Sequence, residues 1–190
     1  MSTYLNVCFL FVYICLLDKC EFNEEEEDIE VFFHTACLYK LLVSYKNMEI
    51  KSVFKNNGKI PLRYSCKGAD INPKLEFKDI PEEAESLALI MHDPDAPMDG
   101  GFTHWVLFNM LSNTKIIEEN SVPKGVQGVN GANTNKYLGP CPPSGTHRYF
   151  FKLYALDTSL DLDESAGKNE VEEAIKGHVI EEAELMGLFP

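Results

Sequence analysis

The chain has 190 residues, 45% of them hydrophobic, enough to bury one sizeable core. Its formal net charge of −13 excludes a nucleic-acid surface, because a phosphate backbone is met by a basic stripe. It does not exclude one small bound anion, since the field inside a pocket is set by its nearest groups.

Residues 1–47 differ from the rest. Tyr4 to Leu17 is an apolar run shorter than the roughly 20 residues that span a bilayer, and no Lys or Arg precedes it as a secretory signal requires. Glu24 to Asp28 is an acidic block of the solvated kind. Val31 to Tyr45 is apolar without a clear period. We read 1–47 as an N-terminal extension, either disordered, leader-like or a mis-assigned start before Met48, and 48–190 as the folded domain. Of the six cysteines, Cys8, Cys15, Cys20 and Cys37 fall in the extension; none forms a Cys-x-x-Cys pair, so zinc ribbons and redox motifs have no support. Cys66 and Cys141 read as free thiols in a reducing, cytoplasmic compartment, with a disulfide as the alternative. A secreted or membrane-anchored protein follows instead if the extension is a real leader.

From Met48 the pattern is short strands separated by turns. Ile50, Val53 and Phe54 precede the turn signal Asn56-Asn57-Gly58, and Ile60 to Tyr64 reads as a second strand. A loop from Gly68 to Pro73 leads to the alternating Leu75-Glu76-Phe77. Ser86 to Met91 is continuously apolar, the mark of a strand covered on both faces, and Trp105 to Met110 is another such run. Gly125 to Gly145 holds five glycines and is too long for an ordinary connection, which points to function. In Tyr149 to Leu156, Tyr149, Phe151, Leu153 and Ala155 take one face and Phe150, Lys152 and Tyr154 the other. Asn169 reads as a helix cap with Glu172 as its capping-box partner, and Val171, Ala174, Ile175 and His178 share one face. Ala183 to Phe189 suits either a continued helix or a last strand. Together these elements predict a mainly β protein, an antiparallel β-sandwich with a short C-terminal helix.

Two loops carry the chemistry. In Asp93-Pro94-Asp95-Ala96-Pro97 the prolines fix φ and restrict the residues before them, so both carboxylates point in defined directions; the Ala96-Pro97 bond is a candidate for cis. His104 starts the next strand, close to Asp93, and a carboxylate beside an imidazole fixes its tautomer and favours its charge. The second loop, Gly139-Pro140-Cys141-Pro142-Pro143-Ser144-Gly145-Thr146, runs into His147 and Tyr149, which face the same side of a strand. Gly139-Pro140 offers close backbone approach and a free N–H, while Arg148 faces away and is expected in a structural ion pair. Two histidines, a tyrosine hydroxyl, glycine backbone and an orienting carboxylate suit a phosphate or carboxylate ligand.

These stretches resemble the two signature regions of the phosphatidylethanolamine-binding protein family, in its bacterial and archaeal Raf-kinase-inhibitor-like branch. The resemblance rests on Asp93-Pro94-Asp95-Ala96-Pro97 with His104-Trp105, and on Gly139-Pro140-Cys141-Pro142-Pro143 with His147-Arg148-Tyr149-Phe150-Phe151. It runs from about Met48 to the end of the chain, including Gly177-His178-Val179-Ile180 and Ala183-Glu184-Leu185-Met186-Gly187. It implies a Greek-key sandwich of two antiparallel sheets and an anion pocket at one end. The implied ligand-binding residues are Asp93, His104, Gly139, His147 and Tyr149, with Asp95, Pro97 and Pro140 at the rim. It also implies a non-enzymatic role: binding of a small anion or phospholipid head group, with a regulated kinase or protease as partner and a homodimer as an open option. No cofactor, metal or nucleic acid is implied. Asn130-Gly131-Ala132-Asn133 and Asn72-Pro73-Lys74 depart from the family pattern and bear on rim shape and ligand choice.

Two other readings compete. A hydrolase would use Ser144, His147 and Asp93 as a triad, although Gly-x-Ser-x-Gly is absent and Ser144 sits in a Pro-Gly turn. A metal site would draw on His92, His104, His147 and Asp93, although no spaced ligand motif is present.

Overall fold

The computed structural model describes residues 47–190. The expectations for the N-terminal extension, including Cys8, Cys15, Cys20 and Cys37, lie outside the described residues.

The apolar runs become strands of two sheets. A three-stranded sheet holds β1 (Glu49–Ser52), β3 (Leu75–Lys78) and β6 (Ile116–Ile117) in the order β1-β3-β6. A six-stranded sheet holds β2 (Gly58–Lys59), β4 (Ser86–Asp93), β5 (Phe102–Leu111), β7 (Val126–Gln127), β8 (His147–Leu156) and β9 (Val179–Phe189). Its order is β2-β9-β8-β4-β5-β7. Its neighbours are antiparallel, except that β2 runs parallel to β9. The main core lies between the sheets: Ile50, Leu75 and Phe77 from the small sheet meet Leu89, Trp105 and Phe151 from the large one. A second apolar cluster, with Ala88, Ile90, Val106 and Phe108, lies on the opposite face of the large sheet, under the helix α1 (Lys168–Ala174) and the loop before it. Both faces of β4 are therefore apolar-covered, which explains its unbroken run. In β8, Tyr149, Phe151, Leu153 and Ala155 all face the inter-sheet core, as the alternation requires.

Two local expectations are corrected and two open ones are decided. Ile60 to Tyr64 is not a strand: pairing stops at Gly58–Lys59, and Leu62–Tyr64 forms a 3-10 turn. The Ile60 N–H still reaches Leu188, but Pro61 has no N–H to continue the ladder. The helix is capped by Gly167, not Asn169; the Glu170 carboxylate accepts the Gly167 N–H at 3.1 Å, and Asn169 lies inside the helix. Ala183 to Phe189 is strand, paired along β8. No peptide bond among the described residues is cis, so Ala96-Pro97 is trans.

Candidate functional site

Strand ends place the site. β4 finishes at Asp93, β5 begins at Phe102 and β8 begins at His147. Because β4 is antiparallel to both neighbours, these three ends fall together at one end of the large sheet. The loop after β4 and the loop before β8 close over that end, around a cavity of about 310 Å³. Asp93, His104 and His147 line it, with Gly139 and Leu138 from the second loop. Pro97, Met98 and Phe102 supply its apolar side.

Each histidine has one ring nitrogen tied down. His147 donates from Nδ1 to Asp93 Oδ2 at 2.8 Å, and both side chains are almost fully buried. The other Asp93 oxygen accepts the Asp95 N–H at 2.8 Å, so the carboxylate is held by its own loop. His104 donates from Nδ1 to the Leu138 carbonyl at 2.8 Å. An imidazole bonded through Nδ1 leaves Nε2 as the nitrogen that can meet a ligand. Burial pushes the His104 pKa below its usual 6.5, while the Leu138 carbonyl and the Asp93 and Asp70 carboxylates pull it back up. Phe102 and Tyr149 pack edge-on against its ring, with centroids 4.9 and 5.2 Å away.

Tyr149 stands behind the cavity and does not line it. Its hydroxyl is buried and meets no group at hydrogen-bonding geometry. Burial pushes the phenol well above its usual pKa, and the nearby Asp93 carboxylate pushes it further.

The remaining sequence candidates divide. Pro97 lines the cavity, whereas Asp95 does not. Asp95 makes a two-pronged pair with Arg148, Nε to Oδ2 at 2.9 Å and Nη2 to Oδ1 at 2.6 Å, and this guanidinium holds its carboxyl at about 2. The pair staples the two loops together and is the structural role expected of Arg148. Pro140 is buried and outside the cavity lining; its carbonyl accepts the Cys66 N–H at 3.2 Å. The Gly139 N–H is not free: it donates to Asp70 Oδ1 at 2.6 Å. Glycine is required here by close approach, since a Cβ would sit 2.3 Å from the Tyr64 carbonyl oxygen.

Cys66 and Cys141 are not free thiols. They form a disulfide in the cavity wall, with Cα atoms 5.5 Å apart. A spacing of 75 residues carries no pairing signal, and only the convergence of the two loops brings these cysteines together. Asp70, read in sequence as part of a plain loop, also faces the cavity; nothing local distinguishes it from an ordinary turn residue.

The competing site readings find no assembled geometry. Ser144 is exposed, lies outside the cavity, and has no hydrogen bond to His147 among the described residues. His92 is half-buried beyond the cavity, where its Nδ1 and the Thr103 hydroxyl are 3.4 Å apart and Lys168 and Glu172 are the nearby charges. Among the described residues no three His, Cys, Asp or Glu side chains converge as a metal would need. None of the described helices is long and apolar enough to cross a membrane. Asn130 and Asn72, in the two stretches that depart from the family pattern, are buried loop organisers. Asn130 Oδ1 accepts the N–H groups of Ala132 and Thr134, and Asn72 Oδ1 accepts that of Ser121.

Comparison with known proteins places this arrangement among described relatives. The family described as phosphatidylethanolamine-binding protein matches residues 50–190. A UPF0098 protein of Methanothermobacter thermautotrophicus is 52% identical over 149 residues, covering 75% of this chain and 98% of the relative. The crystal structure of a putative phosphatidylethanolamine-binding protein homolog, CT736 of Chlamydia trachomatis, superposes with a TM-score of 0.74 at 42% identity, covering 76% of this chain and 97% of that one. YbcL of E. coli, described as a new member of the mammalian family, gives 0.71 at 25% identity, covering 76% and 98%.

Proposed function

From the premise that this chain belongs to the phosphatidylethanolamine-binding protein family, we propose that its cavity binds a small phosphate-type anion, free or as a phospholipid head group. The observation that carries this reading is the tying of both imidazoles through Nδ1, which leaves two Nε2 atoms for the ligand, each a donor once its ring is protonated. The apolar side of Pro97, Met98 and Phe102 leaves room for an organic substituent on the anion.

Electrostatics sets a condition. Asp93 and Asp70 face the same space, so an anion is repelled unless the imidazoles carry protons. Binding is therefore coupled to proton uptake, most strongly at His104, whose burial keeps it neutral at neutral pH. Its pKa is depressed, so the proton arrives only as pH falls below 6.5, and a bound anion pulls that pKa upward. Sulfate is the suitable probe because its own charge is constant over this range. We expect calorimetric affinity for sulfate to be at least about tenfold higher near pH 5.5 than near pH 7.5. Equal affinity at the two values would remove the protonated histidines from the binding step.

The cytoplasmic expectation rested on free thiols, and the disulfide takes that ground away. Disulfides persist where the surroundings are oxidising, so the ligand is better sought on that side of a membrane.

A further inference from the structure

One peptide unit joins two residues of the cavity wall. The carbonyl of Leu138 accepts His104 Nδ1–H at 2.8 Å. The N–H of the same peptide plane, that of Gly139, donates to Asp70 Oδ1 at 2.6 Å. In the preceding peptide the Leu138 N–H returns to the His104 carbonyl at 3.0 Å, so the segment is registered against β5 as well. We propose that Asp70 is the positioning residue of His104, acting through the Leu138–Gly139 peptide to aim Nε2 into the cavity and to favour the charged imidazole. It is the through-peptide counterpart of Asp93, which acts on His147 directly.

The physical basis is polarisation along a hydrogen-bonded chain. An amide whose N–H is bonded to a carboxylate puts more negative charge on its carbonyl oxygen, and that oxygen accepts a cationic N–H more strongly. The charged groups facing His104 come from several elements. Asp93 at the end of β4 and Asp70 from its loop favour the imidazolium, His92 on β4 opposes it, and burial opposes it most. Phe102 on β5 and Tyr149 on β8 fill the remaining sides without charge at neutral pH.

The backbone is built around this contact. Asp70 has φ of 54°, a left-handed conformation that Asp and Asn tolerate better than other side chains. Its N–H is bonded to the Ser65 carbonyl at 3.2 Å. A Cβ on residue 139 would come within 2.8 Å of Asp70 Oδ1, so the carboxylate reaches this peptide only because position 139 is glycine.

The consequence for ligand affinity rests on the anion-binding reading, but the effect on His104 exists without ligand and is measured without it. Asp70→Asn keeps the backbone preference and an acceptor for Gly139 while removing the charge. Imidazole 1H–15N NMR of the ligand-free full chain then follows both cavity histidines with pH. The expected result is a His104 midpoint lower by at least about half a pH unit, a factor of about three in proton affinity, with a shifted Nδ1–H resonance and an unmoved His147 midpoint. A folded Asp70→Asn protein with an unchanged His104 midpoint and Nδ1–H overturns the proposal. If that variant does not fold, Asp70→Gly, which suits the φ of 54° and removes the carboxylate, gives the same reading: a lowered His104 midpoint is expected, and an unchanged one overturns the proposal. Sulfate calorimetry on the same samples separates the two claims: no sulfate binding with a moved midpoint ends the anion reading and leaves this assignment standing.

Discussion

His147→Ala is expected to weaken sulfate binding near pH 6 by at least about 100-fold, because two losses act together. The first is one charge-assisted hydrogen bond from Nε2, worth about 1.5–3 kcal/mol by itself, where each 1.4 kcal/mol is tenfold. The second is the exposure of the Asp93 carboxylate to the cavity with no imidazole between it and the anion. The same change leaves a 3% exposed carboxylate with only the Asp95 N–H as partner, so stability falls as well. Circular dichroism therefore has to accompany the titration, and His147→Gln, which keeps a side-chain donor near Asp93, distinguishes lost binding from lost fold. A folded variant that binds sulfate as the unmodified protein does would show that the ligand sits elsewhere.

Replacing both Cys66 and Cys141 by Ser is expected to lower the free energy of unfolding in urea by about 4 kcal/mol, near the upper end for a single bridge. The size follows from the 75-residue separation of the pair, since a cross-link removes more freedom from the unfolded chain as the closed loop grows. The native loops remain joined without it. Cys66 N–H reaches Pro140, Gly139 N–H reaches Asp70, and the Tyr137 hydroxyl donates to the Tyr64 carbonyl at 2.9 Å. The double variant should therefore fold to the same structure and unfold at lower urea. Equal unfolding free energies for the variant, the untreated protein and the reduced protein would mean that the bridge contributes nothing to the fold.

These outcomes bear on what the residues alone disclose. The large strands were legible because burial writes itself directly into pattern: an unbroken apolar run in β4, covered on both faces, and strict alternation in β8. The two loops were legible because prolines, glycines and histidines are concentrated in them, and the structure brings Asp93, His104, Gly139 and His147 to one cavity. The errors have a common cause in contacts distant along the chain. Ile60 to Tyr64 has strand-like composition, yet only two residues before it find a partner, and that partner is β9, more than a hundred residues on. Cys66 and Cys141 look like isolated thiols until two loops converge. Asp70 looks like a turn residue, and only the folded chain shows its carboxylate on the Gly139 N–H. The misplaced helix cap is different in kind. Glycine at 167 offers no side chain to signal the start, so the side-chain capping pattern at Asn169 falls two residues late, and Glu170 supplies the contact from inside.

In the proposed function two Nε2 atoms meet one anion. Imidazole 1H–15N correlation spectra of the 15N-labelled full chain, recorded as sulfate is added near pH 6, test it most directly. The account predicts that the Nε2 resonances of His104 and His147 move together and saturate at one sulfate per chain, while that of exposed His178 stays in place. Unmoved Nε2 resonances at millimolar sulfate, or a shift confined to His178, would contradict it.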